Sequence, residues 1–224
     1  GRLRLGVARC IVREEHPDNE RLAADCSEWF GVPITTLINE RFDGSIYEIF
    51  RQRSYMSGVA GAPCTGYLKK DVRIVFQRPT DRHVFGYCAD EPDRWDAFLD
   101  ANNIDVVSPL IERGLMHSDC LAMVRDAGIE LPDMYKLGYQ HNNCIGCVKA
   151  TGQGYWNKIR QDFPDAFDRM AAESRRLGVR LIRIDEVRSF LDELQPGTGN
   201  HLDEPEVQCG IFCEMAKKEL KELA

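Results

Sequence analysis

Short β-branched runs alternate with helix-forming stretches from residue 7 onward, and this alternation leaves few architectures open. Residues 7–12 and 33–38 read as strands. Between them, residues 16–19 open a helix that should end at Gly31, since glycine is favoured just past a helix end. Leu22, Cys26, Trp29 and Phe30 recur at helical spacing and predict its inner face. Ser45-Ile46-Tyr47-Glu48 has the capping-box pattern, with Ile46, Ile49 and Phe50 as the buried stripe. A glycine-rich loop over 57–66 leads to Thr65, the predicted N-cap of a helix through Phe76. A strand over 83–87 runs into Asp90-Glu91-Pro92, a helix start with proline in the first turn, and Trp95, Phe98 and Leu99 form that helix's apolar face. Val106-Val107 is a short strand, and Ser118 caps a helix through Ala127 closed by Gly128. Residues 131–154 lack a period and read as a structured loop. Helices follow over 155–161 and 164–177, then a strand over 179–184 and a helix capped by Asp185 with Val187, Phe190, Leu191 and Leu194 on one stripe. The pattern predicts an α/β fold, a mainly parallel sheet with helices on both faces. Ligands bind such sheets at the carboxyl ends of the strands, which directs attention to residues 13–16, 40–44 and 88–94. Pro196 to Asn200 breaks the chain, so residues 1–195 are expected to form the domain and 196–224 a cysteine-containing tail with one helix over 215–223.

The totals remove whole classes of function. A chain of 224 residues, 43% apolar and 29% charged, has the composition of a soluble globular protein. A net charge of −7 argues against a general nucleic-acid coat while leaving room for a local basic pocket. No apolar run reaches the length of a membrane span, and the opening residues lack a signal peptide's apolar region, so a cytoplasmic location is expected. The nine cysteines are odd in number and the chain is not short, which favours metal or thiol chemistry over a disulfide framework.

Cys144 and Cys147 form a C-x-x-C with Gly146 between them, a spacing that lets both sulfurs turn toward one centre. With further sulfur ligands the pair could hold zinc or an iron–sulfur cluster, it could act as a redox dithiol, or it could pack as two small hydrophobes. Asn142, Asn143 and Gly146 argue against the last. Cys64 stands at a helix start ahead of Lys69 and Lys70, where cations and the helix terminus favour a thiolate or a bound anion; the bland alternative is two solvated lysines. Asp90, Glu91 and Arg94 follow a strand. Arg94 could clamp a phosphate or sulfate, although an acidic helix start with Arg94 pairing locally is the simpler reading. Cys209 and Cys213 could complete a four-thiolate zinc site with Cys144 and Cys147, or supply a nucleophile carried by the tail. Cys10, Cys26 and Cys120 fall on element faces and are expected in the core, Cys88 is left open, and His141 is the one histidine near the C-x-x-C.

Taken together, Glu15 to Glu20, Ala62-Pro63-Cys64-Thr65 with Leu68-Lys69-Lys70, Gly86 to Arg94 and Asn143 to Cys147 resemble the phosphoadenosine phosphosulfate reductase-like family, within the PP-loop adenine-nucleotide α-hydrolase-like group. The likeness spans roughly residues 10–195 and is closest to a phage and bacterial branch in which Gly-Tyr-Trp-Asn-Lys-Ile, here 154–159, follows the C-x-x-C. The resemblance implies a Rossmann-like sheet binding an adenine nucleotide or sulfonucleotide at its carboxyl edge. It implies a [4Fe–4S] cluster on Cys64, Cys144 and Cys147, with Thr65, Lys69, Lys70, Asp90, Glu91 and Arg94 holding the substrate. The family's reductases end in Glu-Cys-Gly-Ile/Leu-His, whose thiolate attacks sulfur. Gln208-Cys209-Gly210-Ile211-Phe212 resembles it without the Glu and the His, which makes Cys209 the candidate nucleophile.

The family's Ser-Gly-Gly-x-Asp/Thr-Ser phosphate loop occurs nowhere in the chain. With no initiator Met, a preceding strand-plus-helix unit of about 30 to 40 residues is expected upstream of Gly1. The implied activity is sulfonucleotide reduction with a thioredoxin-like electron donor, or sulfur transfer, in which case a nucleic acid would be the substrate; a homodimer fits the family. The alternative is a non-catalytic binding protein with a structural zinc site.

Overall fold

The computed structural model describes residues 5–58 and 61–200. Cys209, Cys213 and the expected tail helix lie outside these residues. The chain begins with β1 (Val7–Cys10), α1 (Asn19–Phe30), β2 (Ile34–Leu37), a 3₁₀ turn (Glu40–Phe42), α2 (Ile46–Arg53), a π-helical segment (Thr65–Lys70) and α3 (Asp71–Phe76). It continues with β3 (His83–Val84), α4 (Pro92–Ala101), β4 (Val106–Val107), α5 (Pro109–Glu112), α6 (His117–Asp126) and α7 (Asp133–Lys136). The remaining elements are α8 (Gln153–Asp162), α9 (Pro164–Leu177), β5 (Ile182–Ile184), β6 (Val187–Ser189) and a 3₁₀ turn (Leu191–Glu193). The described residues form two compact units, one from 5–58, 62–75 and 132–200, the other from 61 and 76–131.

The fold is mixed α and β, with 47% helix against 9% strand. The expected large parallel sheet is not seen among the described residues, where strand pairing stops at three two-stranded sheets. Two of these are parallel, β1 with β2 and β3 with β4, each joined through a helix as parallel strands require. The third, β5 with β6, is an antiparallel hairpin. That hairpin replaces the helix expected after Asp185: Asp185 and Glu186 both take left-handed backbone, φ 46° and 64°, and turn the chain back on itself. Phe190, Leu191 and Leu194 are buried as expected, but from a 3₁₀ turn, and Val187 is exposed.

The first unit holds the main core. Phe42, Ile49, Phe50, Met56, Leu68, Met134, Trp156, Ile159, Met170, Ile182 and Leu191 are fully enclosed, each burial contributing about 1.5–3 kcal/mol before ordering costs. α9 delivers Phe167, Met170, Ala171 and Ser174 to this core at spacings of three and four, starting from Pro164 in its first turn. α2 presents Ile46, Tyr47, Ile49 and Phe50. Its cap differs from the expected box. Ser45 Oγ accepts from the Tyr47 N–H, but the carboxylate that closes the turn is Glu14, which accepts from Ile46 N–H at 3.0 Å and Ser45 Oγ at 2.6 Å, while Glu48 pairs with Arg51. α1 ends at Gly31 as predicted, with φ 64°. Its anticipated inner face is not buried: no residue of α1 is enclosed, and Trp29 and Phe30 are exposed.

In the second unit Phe85, Tyr87, Trp95 and Phe98 form an aromatic cluster, with centroids 4.7 Å apart for Phe85 and Phe98 and 5.4 Å for Tyr87 and Trp95. Leu99, expected on the same face, is exposed. α6 starts at His117 with Met116 as its N-cap, not Ser118, because the Asp119 carboxylate turns back to accept the Met116 N–H at 2.8 Å. No helix among the described residues is long and apolar enough to cross a membrane.

Candidate functional site: a three-thiol pocket in the first unit

The site is built on the turn that leaves β1. Beyond Cys10 the chain runs through Val12, Glu14 and Glu15, and three bonds bring the 132–147 segment onto it. Ile145 N–H donates to Glu14 O at 2.8 Å, Asn142 Nδ2 to Asn19 Oδ1 at 2.7 Å, and Asp133 N–H to an Asp18 carboxylate oxygen at 3.1 Å. The chain leaving β2 anchors the other wall, where Asn39 Nδ2 donates to Tyr67 O at 2.7 Å in the π-helical segment. These walls enclose a pocket of about 100 Å³ lined by Val12, Glu15, Cys64, Thr65, Lys69, Asn142, Asn143, Cys144, Cys147 and Lys149. Cys64, Cys144 and Cys147, distant in sequence, face one space.

The C-x-x-C loop is held from below by the aromatic residues that follow it. Cys147 N–H donates to the Tyr155 hydroxyl oxygen at 2.9 Å, and Trp156 Nε1 donates to Ala150 O at 2.9 Å. Gly146 turns the loop at φ 70°, and a Cβ there would stand 3.3 Å from Trp156 Cζ3. Tyr139, Tyr155, Trp156 and Phe167 continue as edge-on ring contacts into the core, so the loop rests on a rigid floor. Cys64, Cys144 and Cys147, all partly buried, pack against that core.

All three thiols are hard to ionise in this setting. Burial is the largest cause and raises each pKa, that of Cys144 well above the usual thiol value. The thiols add to the effect on one another: Cys147 raises Cys64 and Cys144, and Cys64 raises Cys144. Lys69 and Lys149 work in the opposite sense. Lys69 Nζ donates to Glu15 Oε1 at 3.0 Å; burial opposes its charge, yet Glu15, Cys144 and Cys10 outweigh that and raise its pKa. Three thiols that repel one another as anions form a donor set that a positively charged thiophilic centre would satisfy. They stand around a space, not on a point: among the described residues no group of three or more His, Cys, Asp or Glu is arranged to hold a single metal ion.

The other expected residues distribute unevenly. Thr65 and Lys69 line the pocket, Lys70 does not, and Lys149 supplies the second cation. Thr65 is not an N-cap but the first residue of a π-wound segment, with Asp71 N–H reaching Gly66 O. Asp90, Glu91 and Arg94 belong to the second unit and are engaged locally. Asp90 accepts from His117 N–H at 3.2 Å, Glu91 accepts from Cys88 N–H at 3.1 Å, and Arg94 is ion-paired with Glu91 and lies over the Tyr87 ring. His141 does not line the pocket. Cys10, Cys26 and Cys120, expected in the core, are only partly buried, and Cys88 is the buried one. Glu14, Lys149 and Tyr155 join the site although residue type and spacing do not assign them a role there, whereas Glu15 and Asn142 lie in stretches that the sequence marks. The acidic pair after the first strand sits where α/β folds place ligands. Comparison with protein-family models, with characterised proteins and with solved structures gave no match.

Proposed function

We propose that the three-thiol pocket is the reaction centre of an enzyme that acts on the anionic sulfur or phosphorus end of an adenine nucleotide or sulfonucleotide, by reduction or sulfur transfer, as in phosphoadenosine phosphosulfate reductase-like proteins. The observation that carries this reading is the convergence of Cys64, Cys144 and Cys147 with Lys69 and Lys149 on one pocket beyond β1. The pocket's volume of about 100 Å³ is below the roughly 300–1,000 Å³ of a site that encloses a whole small molecule. It therefore suits one end of the substrate, with the nucleoside outside it. Lys69 and Lys149 would hold that end as point charges. Glu15, bonded to Lys69, orients the ammonium, and Asn143 adds an amide to the same lining.

The donor set is compatible with the [4Fe–4S] cluster that the resemblance implies, with Cys64, Cys144 and Cys147 as its ligands. When bound, such a cluster would supply thiolate-ligated iron beside the anion, and the positive charge that holds the anion would come from Lys69 and Lys149. The attacking thiol, Cys209, and a thioredoxin-like protein that regenerates it would complete a reductase.

The test is anaerobic purification followed by iron, acid-labile sulfide and zinc analysis of the full chain and of Cys64→Ala, Cys144→Ala, Cys147→Ala and Cys26→Ala. Iron and sulfide should be present in the full chain and in Cys26→Ala and lost in the other three. Zinc that survives Cys64→Ala but not Cys144→Ala would overturn the reading in favour of a structural zinc site. Equal metal content in all the variants would defeat both. Equilibrium dialysis with adenosine phosphosulfate should then show about tenfold weaker binding for Lys69→Ala, the loss expected for one charge-assisted contact.

A further inference from the structure

Between the pocket residues Lys69 and Asn142 in the chain, the second unit carries another pair of thiols. Cys88 lies where the chain leaves β3 and enters the Asp90-Glu91 turn, and Cys120 lies in the first half of α6. Their sulfurs are 3.8 Å apart. Cys88 is buried, with 5% of its surface exposed, and Cys120 is partly exposed. Both segments are already fixed against each other by backbone bonds. Ala89 N–H donates to Leu115 O at 2.7 Å, and His117 N–H donates to the Asp90 carboxylate at 3.2 Å. The two sulfurs are therefore held as neighbours by the fold around them, not by a chance approach of mobile side chains.

We propose that Cys88 and Cys120 are a reversible dithiol–disulfide pair that exchanges with small disulfides and locks the β3 exit turn to α6. A disulfide bond is about 2.05 Å long, so the sulfurs must close by roughly 1.8 Å, a movement within reach of side-chain rotation at the two residues. The exposed partner acts first. The Cys120 thiolate attacks one sulfur of an external disulfide such as oxidised glutathione, forming a mixed disulfide and expelling one glutathione thiolate. Cys88 then loses its proton and attacks the Cys120 sulfur, expelling the second glutathione. The protein loses two protons and two electrons, and one glutathione disulfide becomes two thiols. Burial and the neighbouring Cys120 sulfur push the Cys88 thiol up to about 11, so the second step is the slow one, and it needs no further reagent.

The closed loop would span α4, β4 and α5. It would clamp the turn that carries Asp90 and Glu91 ahead of α4, and it involves none of the pocket thiols. That separation makes the proposal testable by itself, whatever the pocket does.

The full chain is equilibrated in reduced and oxidised glutathione mixtures, quenched with acid, alkylated and digested without reductant, and the cysteine-containing peptides are identified by mass. The expected result is a linked peptide pair containing Cys88 and Cys120, lighter by two hydrogens than the sum of its parts, reversed by dithiothreitol. Cys88→Ser should accumulate the mixed disulfide on Cys120, and Cys120→Ser should leave Cys88 unmodified. The oxidised full chain should also melt at a higher temperature than the reduced one, a shift that Cys88→Ser removes. Retention of both thiols at every ratio would overturn the proposal. So would Cys120 stopping at the glutathione adduct in the full chain, or Cys88 pairing with a different cysteine.

Discussion

Gly146 is the residue on which the geometry of the two C-x-x-C sulfurs turns. A side chain there meets two separate penalties. The backbone is left-handed at φ 70°, which costs an ordinary residue about 1–2 kcal/mol, and the new Cβ would press on Trp156 at 3.3 Å. Trp156 cannot yield easily, because it is fully enclosed and its Nε1 is committed to Ala150 O. Gly146→Ala is therefore expected to lower the stability of the chain by about 1–3 kcal/mol in urea unfolding, and to raise the alkylation rate of Cys147 as the loop lifts from its floor. A variant as stable as the parent, with unchanged alkylation, would show that the loop is not seated on Trp156. The same argument explains why Tyr155 and Trp156 belong with the site although neither lines the pocket: one bonds Cys147, and the other sets the height of the turn.

At the level of elements, the hairpin over 182–189 separates what local pattern can and cannot reveal. Residues 185–194 carry apolar positions at helical spacing, and the buried members are those a helix would bury, but Asp185 and Glu186 reverse the chain first. Without an Asn-Gly or Asp-Gly pair, nothing local announces a turn with two left-handed residues. Glu186 gains little from its side chain, which is 90% exposed and pairs with the exposed Arg183. Glu186→Gly should thus remove left-handed strain and stabilise the chain by about 0.5–1 kcal/mol, read as a higher urea midpoint at unchanged slope; destabilisation would mean that the turn is not strained. The helices over 46–53 and 164–177 were legible because their apolar stripes, their N-terminal cap and proline, and their burial agree. The strands before Asp185 were legible in place and, apart from β4, overestimated in length, since pairing beyond two to four residues depends on neighbours that no local window contains. The site divides the same way. Cys64, Lys69, Cys144 and Cys147 were readable from residue type and spacing, whereas Glu14 and Lys149 act through contacts that only the folded chain creates.

Across the first unit as a whole, stability and site geometry depend on the same few long bridges. Asp18 is the clearest of them. It accepts a fork of two bonds from Arg21 at 2.6 and 2.7 Å, and it accepts the Asp133 N–H, a partner 115 positions along the chain. The Arg21 guanidinium, first, and the Asp133 N–H hold the Asp18 carboxyl below the usual aspartate range. A carboxyl whose pKa is lowered by folding binds fewer protons folded than unfolded. Its stabilising contribution is therefore complete above the ordinary aspartate value of about 4, shrinks as the pH falls toward the lowered folded value, and is gone below it. Asp18→Asn keeps an acceptor near Asp133 but removes the charge. At pH 7 the variant is expected to be less stable by about 1–2 kcal/mol, a modest figure because Arg21 is partly exposed. The gap between parent and variant should then close as the pH is taken from 5 toward 2.5 in urea titrations. A gap that stayed constant over this range would mean that Asp18 does not tie the 132–147 segment to the start of α1 through its charge. Because that segment carries Cys144 and Cys147, a gap that closes should be accompanied by faster amide hydrogen exchange across residues 132–147 over the same interval, once rates are corrected for intrinsic pH dependence with an unstructured peptide.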